Sequence, residues 1–302
     1  MMKVRLGSRK SPLALWQTRW VAGLLEEAHP GLEIEVVTMD TIGDKIRDVP
    51  LPKIGAKGLF TQELEQALVA DEVDMAIHSL KDLPTSLPEG LKFQGAPRRA
   101  SPADAFISTK WKSIEEVPEG AVIGTGSMRR QAQIAYAKPG VRFEDLRGNI
   151  DTRLRKLHEN GWDGIIMAAA ALHRLEAQEH VAEEMDVARF VPAVSQGAVG
   201  IEVREGRPEV DALIEAIVCP ETMEAVLAER HFLRALEGGC SVPLGAHAHK
   251  AGGAWHYHAW VGLPDGSEVI EGHYSGPNAA ELAHEAVADF EGRGAHELLE
   301  RV

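Results

Sequence analysis

Apolar and polar residues alternate with two different periods near the start of the chain. Val4-Arg5-Leu6 predicts a short strand, followed by a turn from Gly7 to Ser11. Pro12 predicts the first residue of a helix, with Ser11 as its cap. Helical spacing of apolar residues indicates the buried face of this helix, formed by Leu13, Trp16, Trp20, Leu24 and Ala28.

The same order of strand, polar turn and helix recurs further along the chain. Strands are predicted at residues 33–39, 74–78, 121–123 and 141–146, and a helix at 61–70. This alternation predicts a mostly parallel sheet with helices on both faces, in which ligands bind beyond the carboxyl ends of the strands. Segment 41–58 is punctuated by Gly and Pro, which favours a functional lid over a plain connection.

The pattern changes after residue 190. Residues 191–200 contain Pro and Gly and predict a return of the chain to an earlier sheet. Helical spacing follows at 208–218 and 221–236, and the second of these helices ends before Gly238.

The tail predicts a small α+β domain. Strands at 254–261 and 267–274 flank Pro264-Asp265-Gly266, which is a hairpin signal. A last helix is predicted to begin at Asn278, with Glu281 three residues later as in a capping box.

Composition narrows the classes of function. A chain of 302 residues predicts two or three domains, and a net charge of -14 argues against nucleic-acid binding because it repels phosphate backbones. No stretch approaches the roughly 20 apolar residues of a membrane span, and the first residues lack the apolar core of a secretory signal. Only two cysteines are present, which predicts no disulfide framework and a reducing cytoplasm.

Cations nevertheless cluster at particular turns of this acidic chain. The clusters are Arg9-Lys10, Lys53 with Lys57, Arg129-Arg130, and Arg147 with Arg153 and Arg155. At strand ends and helix starts, such side chains add to the positive end of the helix dipole and bind carboxylates or phosphates. We therefore expect an anionic small-molecule ligand, although solvated surface charges remain an alternative for each cluster.

Two further positions carry candidate chemistry. Lys81-Asp82 places a cation beside a carboxylate in a strand-end turn, where Asp82 could exchange protons with a ligand or serve as a backbone cap. Cys240 follows two glycines, so its thiolate could be an attachment point or nucleophile. A small buried hydrophobe is the alternative reading of this cysteine.

Histidines and glycines offer weaker signals. Strand alternation would place His247 with His249, and His256 with His258, on one face, as metal ligands require. No Cys or carboxylate nearby completes a convincing set, so we expect ordinary surface or interface histidines and no metal site. Gly124-Thr125-Gly126 lacks the third glycine of a dinucleotide-binding fingerprint.

Five segments, in order and spread over the chain, resemble hydroxymethylbilane synthase, also called porphobilinogen deaminase. They are 11–17 (SPLALWQ), 55–60 (GAKGLF), 78–84 (HSLKDLP), 146–149 (LRGN) and 237–240 (EGGC). The resemblance implies an α/β fold with two periplasmic-binding-protein-like domains of mostly parallel sheets and a small C-terminal α+β domain. The implied domains are 1–98 with 192–216, then 99–191, then 217–302.

The same resemblance implies a covalent dipyrromethane cofactor, made from two substrate molecules and attached to Cys240 through a thioether. It makes Asp82 the catalytic carboxylate. Cofactor binding is implied for Lys81, Ser127, Arg129, Arg130 and Arg147. Substrate binding is implied for Arg9, Ser11, Arg153 and, through a looser match, Arg174. Lys53, Lys57 and Phe60 fall in a loop that is mobile in the family.

The implied activity is a transferase reaction of haem biosynthesis. Porphobilinogen molecules are condensed head to tail with loss of ammonia, and water releases hydroxymethylbilane. Expected partners are porphobilinogen and oligopyrrole intermediates, with no nucleic acid and no membrane, for a cytoplasmic monomer. The alternative is a non-catalytic protein of the same architecture that binds or senses an anion; a metal- or cysteine-dependent hydrolase is more distant.

Two positions depart from the family pattern. Gly126 stands where many relatives have a hydroxyl residue, and Asp151 stands where glycine is common. The sequence does not decide whether these two residues alter the ligand contacts at their turns.

Overall fold

The computed structural model describes residues 3–41, 43, 60–236 and 242–302. These residues form two compact units. The first unit lies within 3–43, 60–100 and 197–223, and the second within 101–196 and 224–302. No helix among the described residues combines the length and the apolar content that a membrane span requires.

The predicted helices and strands are present in the predicted order, and the structure adds strands at 91–95, 104–107, 164–168, 183–184 and 244–251 and helices at 169–174 and 295–299. The first part contains β1 (Lys3–Arg9), α1 (Pro12–Ala28), β2 (Glu33–Met39), α2 (Gln62–Val69), β3 (Met75–Ser79) and β4 (Leu91–Gly95). The middle contains β5 (Asp104–Ile107), β6 (Val122–Gly124), α3 (Met128–Ala137), β7 (Arg142–Glu144), α4 (Ile150–Glu159), β8 (Gly164–Ala168), α5 (Ala169–Arg174) and β9 (Glu183–Glu184). The last part contains β10 (Val199–Arg204), α6 (Pro208–Glu215), α7 (Pro220–Ala235), β11 (Leu244–Ala251), β12 (Ala254–Gly262), β13 (Val269–Gly276), α8 (Ala279–Gly292) and α9 (Ala295–Leu299).

The first unit is built on a sheet with the order β2-β1-β3-β10-β4. Strands β2, β1 and β3 are parallel, and β10 is antiparallel to both of its neighbours. The predicted return of the chain to an earlier sheet is thus confirmed. Both faces are covered, because Met75 and Ile77 of β3 join one apolar cluster while Ala76 joins another with Leu64 of α2.

The second unit repeats this arrangement in the order β7-β6-β8-β5-β9. Strands β7, β6 and β8 are parallel, and β5 is antiparallel to its neighbours. The two sheets share strand order and strand direction, which confirms the expected pair of related α/β lobes with mostly parallel sheets.

A small antiparallel sheet, β11-β12-β13, completes the second unit. Its core face carries Trp255 and Tyr257, which pack with Phe232 of α7 and Phe290 of α8. The predicted hairpin and final helix are confirmed, and the Asn278 side chain caps α8 by accepting hydrogen bonds from the backbone N–H groups of Ala280 and Glu281. This is the expected α+β tail.

The predicted turn from Gly7 to Ser11 is wrong over its first part. Strand β1 continues to Arg9, which pairs with Met39 of β2. Gly7 is needed there for close packing, because a Cβ at this position would lie 2.9 Å from the Leu64 side chain. The helix cap is confirmed, since the Ser11 hydroxyl accepts a hydrogen bond from the Ala14 N–H.

The predicted buried face of α1 is also wrong. The buried residues are Ala14, Gln17, Thr18, Val21, Ala22 and Leu25. The two polar members are hydrogen-bonded: Thr18 Oγ1 lies 2.8 Å from Ser8 Oγ, and Gln17 Nε2 lies 2.9 Å from Ser79 Oγ. These hydrogen bonds offset the free-energy cost of burying Gln17 and Thr18, so both side chains lie in the core. The tryptophans of α1 are half-buried.

Candidate active site

Asp82 lies at the carboxyl edge of the first sheet. A single 3-10 turn, Leu80–Asp82, follows β3 directly. Its position is fixed by buried Leu80, whose N–H donates to the Ala198 carbonyl at 3.0 Å. Because β1 and β3 are parallel neighbours, the residues that follow β1 reach the same edge.

A pocket at this edge brings four of the sequence-predicted residues together. Asp82, Arg9, Ser11 and Phe60 all line it. The Arg9 guanidinium lies 4.3 Å from the centroid of the Phe60 ring, a cation–π contact that holds both side chains at the pocket wall. The first turn of α1 also lines the pocket, so the positive end of the helix dipole faces it.

Four polar residues at this site were not among the candidates from sequence. Gln17, Thr61, His78 and Ser79 line the same pocket. His78 Nε2 lies 2.9 Å from an oxygen of Glu202, and both side chains are buried. Glu202 is the one acidic residue within the apolar segment 198–203, and this isolation was the available signal of a buried partner. Lys81 is half-buried in the turn next to Asp82.

A second group of candidates lies at the carboxyl edge of the other sheet. Ser127 caps α3, and its hydroxyl accepts a hydrogen bond from the Arg130 N–H. Arg129 and Arg130 both point to buried Asp104: Arg129 Nη2 lies 2.8 Å from Oδ2, and Arg130 Nη2 lies 2.7 Å from Oδ1. Burial alone would raise the pKa of Asp104, but the two guanidinium groups hold it well below its usual range.

Asp104→Asn is expected to destabilise the fold by about 3–5 kcal/mol, because it leaves two buried guanidinium groups without a counter-ion. Glu115→Gln is the matched control, since it breaks an exposed Arg189 pair of similar length, 2.7 Å, whose contribution is below about 1 kcal/mol. The measurement is the free energy of unfolding in urea. Equal losses in both variants would contradict the expectation.

The pH dependence of Asp104 has a definite sign. Its pKa is lower in the folded chain than in the unfolded chain, so ionised Asp104 stabilises the fold above about pH 4. This contribution decreases in acid and is lost as the pH falls through the pKa of the folded state.

Arg147 lies in the turn between β7 and α4. Its side chain is 15% exposed and its Nε lies 3.5 Å from Asp145 Oδ2. Nε and Nη2 are buried, and within the described part of the chain neither has a hydrogen-bond partner. The turn requires glycine after Arg147, because Gly148 has a φ of +113°. Asn149 then caps α4 by accepting from the Thr152 N–H at 2.9 Å.

The other two arginines are placed differently. Arg153 Nε donates to the Gly148 carbonyl at 2.8 Å and so braces the turn that carries Arg147. Arg174 is buried at the end of α5, and burial lowers the pKa of its guanidinium to about 10. Arg155, by contrast, is 65% exposed and contacts Glu159.

The two departures from the family pattern have local physical reasons. A Cβ at Gly126 would lie 3.0 Å from the Leu146 carbonyl oxygen, so a hydroxyl residue would require that turn to shift. Asp151 is exposed in the first turn of α4, where its charge stabilises the helix dipole.

Three candidates, Cys240, Lys53 and Lys57, lie outside the described residues. The other cysteine, Cys219, is free and half-buried just before α7.

A carboxylate lies beside two of the tail histidines, contrary to the expectation from sequence. Glu271 of β13 places Oε1 at 2.8 Å from His258 Nε2 and at 3.6 Å from His273 Nε2. The carboxylate was missed because sheet register, and not proximity in sequence, brings it there.

Two family models match the chain in sequence order. Residues 4–212 match the dipyrromethane cofactor-binding domain of porphobilinogen deaminase. Residues 223–291 match the C-terminal domain of porphobilinogen deaminase. The chain belongs to the porphobilinogen deaminase family.

Family membership establishes the activity and the cofactor. The enzyme is a transferase of haem biosynthesis that condenses four porphobilinogen molecules with loss of ammonia and releases hydroxymethylbilane. Its cofactor is dipyrromethane, and oligopyrroles are its intermediates. The alternative of a non-catalytic binding or sensing protein is not favoured.

The residues at the second sheet fit the cofactor of porphobilinogen deaminases. Each pyrrole of dipyrromethane carries two carboxylates, and buried guanidinium donors are their natural partners. Like Nε and Nη2 of Arg147, the Nε of Arg129 is buried and has no hydrogen-bond partner among the described residues. The carboxylates of an anionic ligand would accept hydrogen bonds from these buried guanidinium N–H groups.

Solved structures with which this chain aligns include two binding proteins and a periplasmic domain. A methionine-binding lipoprotein of Bacillus subtilis is 14% identical, with 73% of this chain and 92% of that chain covered and a TM-score of 0.43. A periplasmic domain of BvgS from Bordetella pertussis is 14% identical over 72% and 86%, with a TM-score of 0.42. The aliphatic sulphonate binding protein SsuA of Escherichia coli is 13% identical over 78% and 71%, with a TM-score of 0.41.

Proposed function

We propose that this enzyme holds its cofactor through Cys240 and a set of cationic and hydroxyl side chains that match the cofactor-binding positions of the family. The set comprises Lys81, Ser127, Arg129, Arg130 and Arg147. The observation that carries the proposal is the buried Arg147 guanidinium, whose Nε and Nη2 have no hydrogen-bond partner among the described residues, although Nε lies 3.5 Å from an Asp145 oxygen. When bound, dipyrromethane supplies the pyrrole carbon to which the first substrate is joined.

The charge of the substrate explains why an acidic protein collects these cations. Porphobilinogen carries an acetate and a propionate, so each added pyrrole brings two negative charges. Arg147 can bind one carboxylate through two N–H groups, and Arg153 braces its turn. Arg129 and Arg130 act differently, because Asp104 already balances part of their charge and fixes their orientation.

Asp82 is proposed as the catalytic carboxylate. Loss of ammonia from porphobilinogen leaves positive charge on the substrate pyrrole, and a fixed carboxylate stabilises that charge by accepting hydrogen bonds from the ring N–H. Its pocket also contains Arg9 and Ser11, which we assign to the substrate carboxylates. Asp82 can also transfer the protons of deamination and carbon–carbon bond formation, but we take the electrostatic role to be the larger.

We further propose that the enzyme acts as a monomer in the cytoplasm, in three domains at 1–98 with 192–216, 99–191 and 217–302. Two cysteines in 302 residues support a reducing compartment. Large apolar side chains exposed in the described part of the chain are dispersed along the sequence, at Val69, Tyr136, Leu227 and Val302. Light scattering of the purified protein measures the oligomeric state.

Arg147→Leu is expected to impair cofactor loading or chain elongation, with a loss of at least about tenfold in turnover, because a charge-assisted carboxylate contact is removed. The control is Arg155→Leu in α4, the helix that follows the Arg147 turn. The Arg155 side chain is 65% exposed, so this variant should retain normal turnover. The measurements are intact mass, which reports cofactor loading, and the rate of ammonia release. Unchanged kinetics in Arg147→Leu would make this arginine a structural charge.

A further inference from the structure

One face of the C-terminal sheet carries most of the histidines of the tail. Strand alternation sends Trp255 and Tyr257 of β12 into the core. The opposite face carries one carboxylate, Glu271, and five imidazoles: His247, His249, His256, His258 and His273. His258 lies directly opposite His273 on the neighbouring strand.

Three of these side chains form a compact group. The nearest distances from Glu271 Oε1 are 2.8 Å to His258 Nε2 and 3.6 Å to His273 Nε2. The two imidazole rings are stacked, with centroids 3.9 Å apart. One ligand atom from each residue lies within 4.8 Å of the other two.

These distances match the requirements of a tetrahedral metal ion. Bonds of about 2.1 Å to nitrogen and oxygen place neighbouring donor atoms about 3.4 Å apart in a tetrahedral site. Small rotations about the side-chain bonds of His273 and Glu271 therefore suffice to surround one ion. Two imidazoles and one carboxylate are a ligand set typical of Zn²⁺ with a fourth position open to water.

We propose that His258, Glu271 and His273 form a Zn²⁺ site that links β12 to β13. This site is separate from the proposed catalytic residues, and the ion would stabilise the edge strand β13 of the three-stranded sheet.

The group is preorganised on one side and accessible on the other. The His258 side chain is 8% exposed, and the 2.8 Å contact of its Nε2 with Glu271 Oε1 fixes the orientation of the ring. Glu271 and His273 are 35% and 65% exposed, so an ion enters from solvent. The Arg293 guanidinium contacts the Glu271 backbone carbonyl and not its carboxylate.

The test is Zn²⁺ titration of the tag-free, full-length holoenzyme by calorimetry, without substrate. We expect one high-affinity equivalent, and at least about tenfold weaker binding in both His273→Ala and Glu271→Gln. His249→Ala, an exposed histidine on the same face, and His296→Ala, outside the sheet, should bind as the unaltered protein does. The altered ligand positions are partly exposed, and circular dichroism without metal checks that these variants fold.

Three results overturn the proposal. The first is an unaltered protein that binds no Zn²⁺, which would make the group a hydrogen-bonded His–Glu–His cluster only. The second is unchanged affinity in His273→Ala. The third is loss of binding in His249→Ala, which would move the site to the other histidines. As an independent readout, bound Co²⁺ should give the visible absorption of a tetrahedral nitrogen and oxygen site, lost in Glu271→Gln. None of these measurements depends on turnover, so failure here leaves the catalytic proposal untouched.

Discussion

Asp82→Asn should lower turnover by at least about 100-fold while leaving the cofactor attached. The substitution keeps the shape of the side chain and removes the negative charge that stabilises the cationic substrate. The turn itself should persist, since its backbone is held by hydrogen bonds from Leu80 N–H to Ala198 and from Leu83 N–H to Leu80. The loss is therefore expected in kcat, with little change in the free energy of unfolding.

Asp40→Asn is the matched control for this experiment. Asp40 belongs to the same unit, is 49% exposed and pairs with Lys10 at 2.6 Å. Ammonia release, porphobilinogen consumption and intact mass are measured for both variants. Near-normal turnover of Asp82→Asn with full cofactor loading would refute the catalytic role.

Local signals were sufficient for much of the fold. The Ser11 and Pro12 pair located the start of α1, and the Asn278 cap located α8. Each depends on backbone groups within one turn of the named residue, so the sequence contains the whole interaction. Repetition of strand, polar turn and helix similarly predicted mostly parallel sheets with the basic turns at one edge, because parallel strands bring successive turns to the same edge. The pair of lobes was implied by the resemblance to the family.

Long-range contacts decided what local patterns could not. Asp104 begins β5, the antiparallel strand whose first residue pairs with Ala168 at the end of β8. That reversal brings the Asp104 carboxylate to the edge where Arg129 and Arg130 lie, and no local pattern in the sequence identifies these two arginines as its partners. The basic pair was predicted correctly as a cluster at a turn, but its buried counter-ion was missed.

Polar residues on buried faces caused the other errors. Gln17 and Thr18 were left out of the predicted buried face of α1, because periodicity treats a polar residue as exposed. Their hydrogen-bond partners, Ser79 and Ser8, come from two different strands. Glu271 was also missed because its partner comes from another strand. Its position beside His258 depends on the pairing of β12 with β13.

Cys240→Ala should remove the cofactor, and with it all turnover. Because the proposed thioether needs the Cys240 sulfur, intact mass of the unaltered enzyme should exceed the sequence mass by two linked pyrroles, and the variant should match its sequence mass. The matched control is Cys219→Ala, which alters the other cysteine, a half-buried residue before α7, and should keep both the excess mass and the activity.

This pair of variants separates attachment from simple loss of a thiol. An excess mass that persists in Cys240→Ala and disappears in Cys219→Ala would place the attachment at the other sulfur. Active, unaltered enzyme without any excess mass would contradict covalent attachment altogether. With the adduct at Cys240, elongation proceeds on a tethered chain, so each coupling gains the effective concentration of a held reactant. The cationic side chains around Arg147 then meet a charge that grows by two with every pyrrole added.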